Sequence, residues 1–115
     1  MDINAFYQNA AGFAPNPLQQ AVWDAYAGAE GHPALLVRAG TGAGKTEAVL
    51  FPALADSRFR RRIILILPSK ALIEDMGERI KGIGERLSAS GVVDLDITVD
   101  MGGSCRRYQC RNGAV

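Results

Sequence analysis

Histidine is almost absent from this chain of 115 residues, and cysteine is nearly so. The single histidine, His32, has no second imidazole to join it, which argues against a histidine-based metal or catalytic centre. Two cysteines, Cys105 and Cys110, are too few for a disulfide framework, and a C-x₄-C pair supplies half of a tetrahedral zinc site at most. Both are expected to be free thiols. No apolar run approaches the roughly 20 residues that span a bilayer. Met1-Asp2-Ile3-Asn4 lacks the basic and then apolar regions of a signal peptide, so a reducing cytoplasmic setting is the default expectation. The formal net charge is only +1, which removes any global basic field. Nucleic-acid binding must therefore rest on local features. Internal repeats and flexible linkers are also missing.

What is present is a composition able to fold. Hydrophobic residues make up 48% and charged residues 22%, enough for one compact domain with a modest core. Residues 1–15 read as a mixed segment holding Phe6, Tyr7 and Phe13. Asn16-Pro17 is a helix start, because Asn caps and Pro suits the first turn. Leu18, Ala21, Val22, Ala25 and Tyr26 then recur at helical spacing, and Gly28, Gly31 and Pro33 stop the helix. Trp23 and Tyr26 fall at packing positions on it.

Ala34 to Arg38 reads as a short buried strand and Ile63 to Leu67 as a second, covered on both faces. Between them runs a helix from about Lys45 to Asp56, in which Pro52 kinks the helix or marks a weak turn. Ser57 to Arg62 is a basic connection. Ala71 to Leu87 is an amphipathic helix weakened at its end by Gly82 and Gly84. Val92 to Val99 is a third strand, ending in the turn Asp100-Met101-Gly102-Gly103. The tail has a helical look around Arg106 to Arg111, followed by a turn at Asn112-Gly113. Alternation of this kind predicts an α/β fold with a parallel sheet and right-handed crossovers.

The strongest chemical signal is Ala39-Gly40-Thr41-Gly42-Ala43-Gly44-Lys45-Thr46. Its glycines can take positive φ and leave backbone N–H groups open to form a nest for anionic oxygens. The following helix adds the positive end of its dipole. Lys45 would reach the β- and γ-phosphates of a nucleoside triphosphate, and the Thr46 hydroxyl would ligate Mg²⁺. Ala39 stands where the strict G-x-x-x-x-G-K-[ST] pattern has glycine.

With these residues in view, the chain resembles the superfamily 2 helicases, the DEAD/DEAH-box group. Gly12 to Gln19 looks like the Q-motif region. Ala39 to Thr46 with Glu47 matches motif I. Leu67-Pro68-Ser69-Lys70-Ala71-Leu72 resembles motif Ia, and Gly102-Gly103 resembles the GG element. The resemblance implies a RecA-like P-loop NTPase fold, with a Q-motif-like region over 1–33 and a P-loop core over 34–115. It implies ATP with Mg²⁺ as cofactors, held by Gln19, Thr41, Gly42, Ala43, Gly44, Lys45, Thr46 and Glu47. Gln19 would recognise adenine, although Gln20 is adjacent and a slip of one residue stays open; a solvated glutamine is the plain alternative. Ser69, Lys70, Gly102 and Gly103 would line a DNA or RNA backbone, with Lys70 acting as a point charge in place of the more usual Arg. Arg106, Arg107 and Arg111 could extend that face. A narrower similarity, to the CRISPR-associated helicase-nuclease group, rests on Gly44 to Ala48 and on Leu67 to Arg79.

The resemblance also defines what these residues do not contain. No D-E-x-D or D-E-x-H tetrad occurs; Glu74-Asp75 and Asp94-x-Asp96 read as solvated surface. The T-P-G-R and S-A-T elements and the second RecA-like domain, source of arginine fingers, are not in the sequence. Arg60-Arg61-Arg62 reads as a solvated loop. The expectation is a first motor domain truncated before its catalytic acids, not active alone and left with an unpaired apolar sheet edge prone to association. Another P-loop enzyme, such as a small kinase or ATPase, and a non-functional remnant are the alternatives.

Overall fold

A computed structural model describes residues 2–28, 37–38, 40, 42, 44–56 and 63–111. The described elements are α1 (Ile3–Ala11), α2 (Pro17–Ala27), α3 (Lys45–Ala55), α4 (Lys70–Ala89), β1 (Leu95–Asp100) and β2 (Cys105–Cys110). The chain forms two compact units. One comprises residues 1–8 and 13–63, the other residues 9–12 and 64–115.

The first unit is built around aromatic rings. Asp2 caps α1 by accepting a hydrogen bond from the Ala5 amide at 2.8 Å. This helix was not expected from the sequence, yet Ile3, Phe6, Tyr7 and Ala10 follow the spacing of an apolar helix face. Phe6 and Tyr7 are fully buried and meet Phe51 of α3 edge-on, with ring centroids 5.4 and 4.7 Å apart. Trp23 of α2 packs against both Phe6 and Tyr7, as its spacing predicted. Val22, Leu50 and Leu54 add aliphatic burial. The helix α3 runs unbroken through Pro52 and ends three residues later; its capping residue Asp56 donates its amide to the Pro52 carbonyl.

In the second unit, α4 carries a two-stranded antiparallel hairpin. Ser69 caps the helix start. Its end is a Schellman motif: the Val92 amide bonds the Leu87 carbonyl, the Gly91 amide bonds the Ser88 carbonyl, and Gly91 takes φ +72°. Gly91, rather than Gly82 or Gly84, is therefore the stop. Gly77 and Gly84 serve packing instead. A Cβ at Gly77 would lie 2.9 Å from Val99 Cγ2, and one at Gly84 would lie 2.9 Å from Cys110 Sγ. Two glycines seven positions apart thus flatten one helix face for the hairpin. The Arg86 Nε donates to the Ala10 carbonyl at 2.7 Å, which satisfies a backbone acceptor at the end of α1.

One expectation is corrected and another is not met among the described residues. The helical look of Arg106 to Arg111 gives way to β2, which pairs Leu95 with Cys110 and Asp100 with Cys105. The turn at Gly102 returns the chain alongside β1, and pairing outweighs the weak local helix preference. The parallel sheet does not form among the described residues: the sheet there is the antiparallel pair alone. Ile63 to Leu67 forms no strand, and Ile64, Leu65 and Ile66 are 72%, 47% and 90% exposed. A strand needs a neighbour for its N–H and C=O groups. Among the described residues β1 bonds β2 alone. Of the expected strand Ala34 to Arg38, only Val37 and Arg38 are described, and they form no strand; Ser57 to Arg62 and Asn112-Gly113 lie outside the described residues.

Candidate functional site

The glycine-rich loop is described at Gly40, Gly42 and from Gly44 onward; Ala39, Thr41 and Ala43 lie outside the described residues. Gly42 and Gly44 both hold positive φ, +83° and +78°. Gly44 is the N-cap of α3 and has no side chain to cap it, so no side-chain hydrogen bond closes the first turn. Lys45 is the first helical residue and is exposed; Thr46 and Glu47 follow at intermediate exposure. An N-terminal turn of this kind, led by a left-handed glycine and carrying Lys and Thr, can take an anion with backbone amides, an ammonium and a hydroxyl together.

Gln19 is tied directly to this loop. Its Nε2 donates to the Gly44 carbonyl at 3.2 Å. Its Oε1 accepts from the Asn16 amide at 2.9 Å, while Asn16 Oδ1 accepts from the Gln19 amide at 2.9 Å. This is a reciprocal capping box, and the N-x-x-Q pattern carries its signature. Gln19 is only 2% exposed, so it is not a solvated glutamine. Gln20 is exposed and bonds Asp24, which puts Gln19 rather than Gln20 at the loop. A larger residue at Gly44 would displace the Gln19 amide, since a Cβ there would lie 2.5 Å from Gln19 Nε2.

Tyr7 was not singled out by its residue type, yet it belongs to this neighbourhood. Its hydroxyl is buried and has no hydrogen-bond partner among the described residues. Burial first, and then the Glu47 carboxylate, push its phenol well above the ordinary tyrosine value.

The fit of Mg²⁺ can be judged from the donor set. Among the described residues no group of three His, Cys, Asp or Glu side chains could hold a metal. Mg²⁺ often takes one or two protein oxygens and completes its shell with phosphates and water. Thr46 beside Lys45 suits that mode, and a metal cage built wholly from protein does not. Glu74 and Asp96 are engaged elsewhere, with Arg106 and Arg111.

The four residues expected to face nucleic acid all lie in the second unit. Ser69 Oγ accepts from the Leu72 amide at 3.2 Å, and Lys70 opens α4; both are exposed. Gly102 and Gly103 form the exposed hairpin turn, where Gly102 takes φ +82° and donates to Asp100 Oδ1. The order of packing along α4 places that turn. Gly84 meets Leu95 and Cys110, Gly77 meets Val99, and Glu74 meets Arg106. The hairpin therefore points its turn toward the start of α4, where Ser69 and Lys70 sit. Space beside Gly102 and Gly103 is open. Of the nearby arginines, Arg106 is hydrogen-bonded to Glu74 at 2.8 Å, which raises its pKa, and Arg111 is bonded to Asp96. Both guanidinium groups thus already face a carboxylate. Cys105 and Cys110 are both free thiols, the first exposed and the second buried.

The family model for the DEAD/DEAH box helicase matches residues 16–112, from the capping Asn16 to just past β2. The chain belongs to the DEAD/DEAH box helicase family. No curated protein and no solved structure matches it. Membership in a helicase family carries general ATP use with it and points to nucleic acid as partner. Among the described residues no helix is long and apolar enough to cross a membrane.

Proposed function

We propose that this DEAD/DEAH box chain binds Mg-ATP at the start of α3 and a DNA or RNA backbone at the start of α4. Thr41, Gly42, Ala43 and Gly44 supply backbone amides, Lys45 the phosphate charge, Thr46 the Mg²⁺ ligand, and Glu47 the carboxylate beside them. Gln19 takes the adenine edge. Ser69, Lys70, Gly102 and Gly103 contact the nucleic-acid backbone. The intact fold is RecA-like, with the parallel sheet of that class and a second such domain opposite. In it, residues 1–33 form the Q-motif-like region and 34–115 the P-loop core.

The observation that carries the reading is Gly44. It is left-handed, uncapped by any side chain, followed at once by Lys45 and Thr46, and held by Gln19. Bound ATP would supply the phosphoryl group for transfer. The chain's own residues bind and orient it. These 115 residues contain no D-E-x-D or D-E-x-H pair to activate water, so alone they bind nucleotide with negligible turnover. The finer kinship with CRISPR-associated helicase-nucleases rests on Gly44 to Ala48 and Leu67 to Arg79 alone.

The test is thermal stabilisation by Mg-ATP in the parent and in Lys45→Ala. Stabilisation of the parent that Lys45→Ala loses supports the reading. Equal stabilisation of both sinks it. A second reading, a remnant that binds nothing, draws on the exposure of Ile64 to Ile66 outside any sheet. It predicts no stabilisation of the parent.

A further inference from the structure

Tyr7 presents a problem that the binding reading leaves unsolved. A phenol oxygen buried without a partner costs about 1–3 kcal/mol. Native chains rarely carry one without a reason. The ring is fixed by packing: it meets Phe51 edge-on at 4.7 Å and lies beside Phe13 and Trp23. The hydroxyl therefore cannot turn out to solvent, and the residue is 0% exposed.

Phe51 stands one helical turn after Glu47, so Tyr7 packs on the same face of α3 that carries Glu47. Glu47 lies in the first turn of α3, where a carboxylate is favoured by the positive helix end. A triphosphate arriving at that same turn competes for the same positive potential. Like charge then disfavours the Glu47 carboxylate at that turn.

We propose that Tyr7 is a positioning residue for nucleotide binding: when phosphates occupy the start of α3, its buried hydroxyl donates a hydrogen bond to the displaced Glu47 carboxylate. The inference rests on the phosphate-binding reading above. It makes α1 a part of the site, through a residue outside the stretch that the family model matches. One hydrogen bond then removes an unpaired donor and holds a carboxylate that would otherwise repel the ligand.

The experiment compares the parent chain, Tyr7→Phe, Glu47→Gln and the double variant, with Mg-ATP titrated by calorimetry and unfolding followed without ligand. Tyr7→Phe keeps the ring packing and removes only the oxygen. Its expected signature is two-sided: a ligand-free chain at least as stable as the parent, and Mg-ATP binding weakened about tenfold, as loss of a hydrogen bond to a charged group implies. In the Glu47→Gln background the same substitution changes affinity by much less. A purely structural tyrosine would not move affinity while leaving stability intact. Unchanged Mg-ATP affinity in Tyr7→Phe, or an equal loss with and without Glu47, overturns the inference and leaves the binding reading standing. Failure of the parent itself to bind Mg-ATP overturns both.

Discussion

Replacing Gly44 by alanine tests the local geometry of the glycine-rich loop without any ligand. At φ +78° an L-residue costs about 1–2 kcal/mol. The new Cβ would also stand 2.5 Å from Gln19 Nε2, so the glutamine amide must swing away from the Gly44 carbonyl. Losing that bond at a side chain 2% exposed adds about 1–3 kcal/mol. Gly42→Ala is the control. It has a similar φ of +83° but nothing within 4 Å of its Cβ, so only the conformational cost applies. Gly44→Ala should therefore exceed Gly42→Ala by about 1–3 kcal/mol. Urea unfolding followed by Trp23 fluorescence is the assay, since the only tryptophan lies in the same unit. In a Gln19→Ala background the clash disappears and the two alanine variants should converge. If Gly44→Ala and Gly42→Ala cost the same in the parent, the tie between Gln19 and the loop is not as described.

Gly77→Ala, whose Cβ meets Val99, should destabilise the second unit by about 1–3 kcal/mol. Gly82→Ala meets only the end of the Arg86 side chain and should stabilise α4 by about 0.5–1 kcal/mol; far-ultraviolet dichroism during urea unfolding separates the two. Ile66, 90% exposed, should accept lysine within about 0.5 kcal/mol, whereas a strand covered on both faces would lose about 3 kcal/mol or more. The buried Cys110 thiol titrates above its ordinary value, chiefly through desolvation. The folded state thus holds its proton more tightly than the unfolded chain. The stability this contributes is full below the unfolded thiol pKa and lost as pH rises through the folded one. Substitution by alanine should flatten that alkaline decline, and thiol labelling should reach exposed Cys105 before Cys110.

Features written in a few adjacent residues were legible from sequence. Asn16-Pro17 and Gly44-Lys45 each combine a capping or left-handed residue with a helix start, and both helices begin there, whereas the helix expected from Ala71 starts one residue earlier, at Lys70 after its cap Ser69. The roles proposed for Lys45 and Thr46 rest on the same local logic. Features decided by a distant partner were less so. Ile63 to Leu67 has the composition of a buried strand, but composition does not supply the neighbour that a strand must bond. Cys105 to Cys110 is ambiguous by periodicity and is settled by its register with β1. The cap at Asp2 and the spacing of Ile3, Phe6, Tyr7 and Ala10 did carry a readable signal for α1. The box between Asn16 and Gln19 was readable too, whereas its bond to Gly44, 25 residues away, was not.

The division between the two kinds of feature bears on how the phosphate loop is held. A P-loop is ordinarily thought of as hanging between a strand and a helix, which makes the sheet its foundation. In the first unit a different support is visible. The Asn16–Gln19 box fixes the start of α2, Gln19 reaches the carbonyl that opens α3, and Phe6, Tyr7, Trp23 and Phe51 fill the space behind them. The box lies within the start of α2, the other contacts join helix to helix, and none of them needs a strand. The helical half of the loop can therefore keep its left-handed glycine and its exposed lysine independently of sheet formation. On this argument, the phosphate binding proposed at the start of α3 depends more on α1 and α2 than on Ile63 to Leu67. Substitutions at Phe6 or Trp23 should weaken it sooner than substitutions at Ile64 or Ile66.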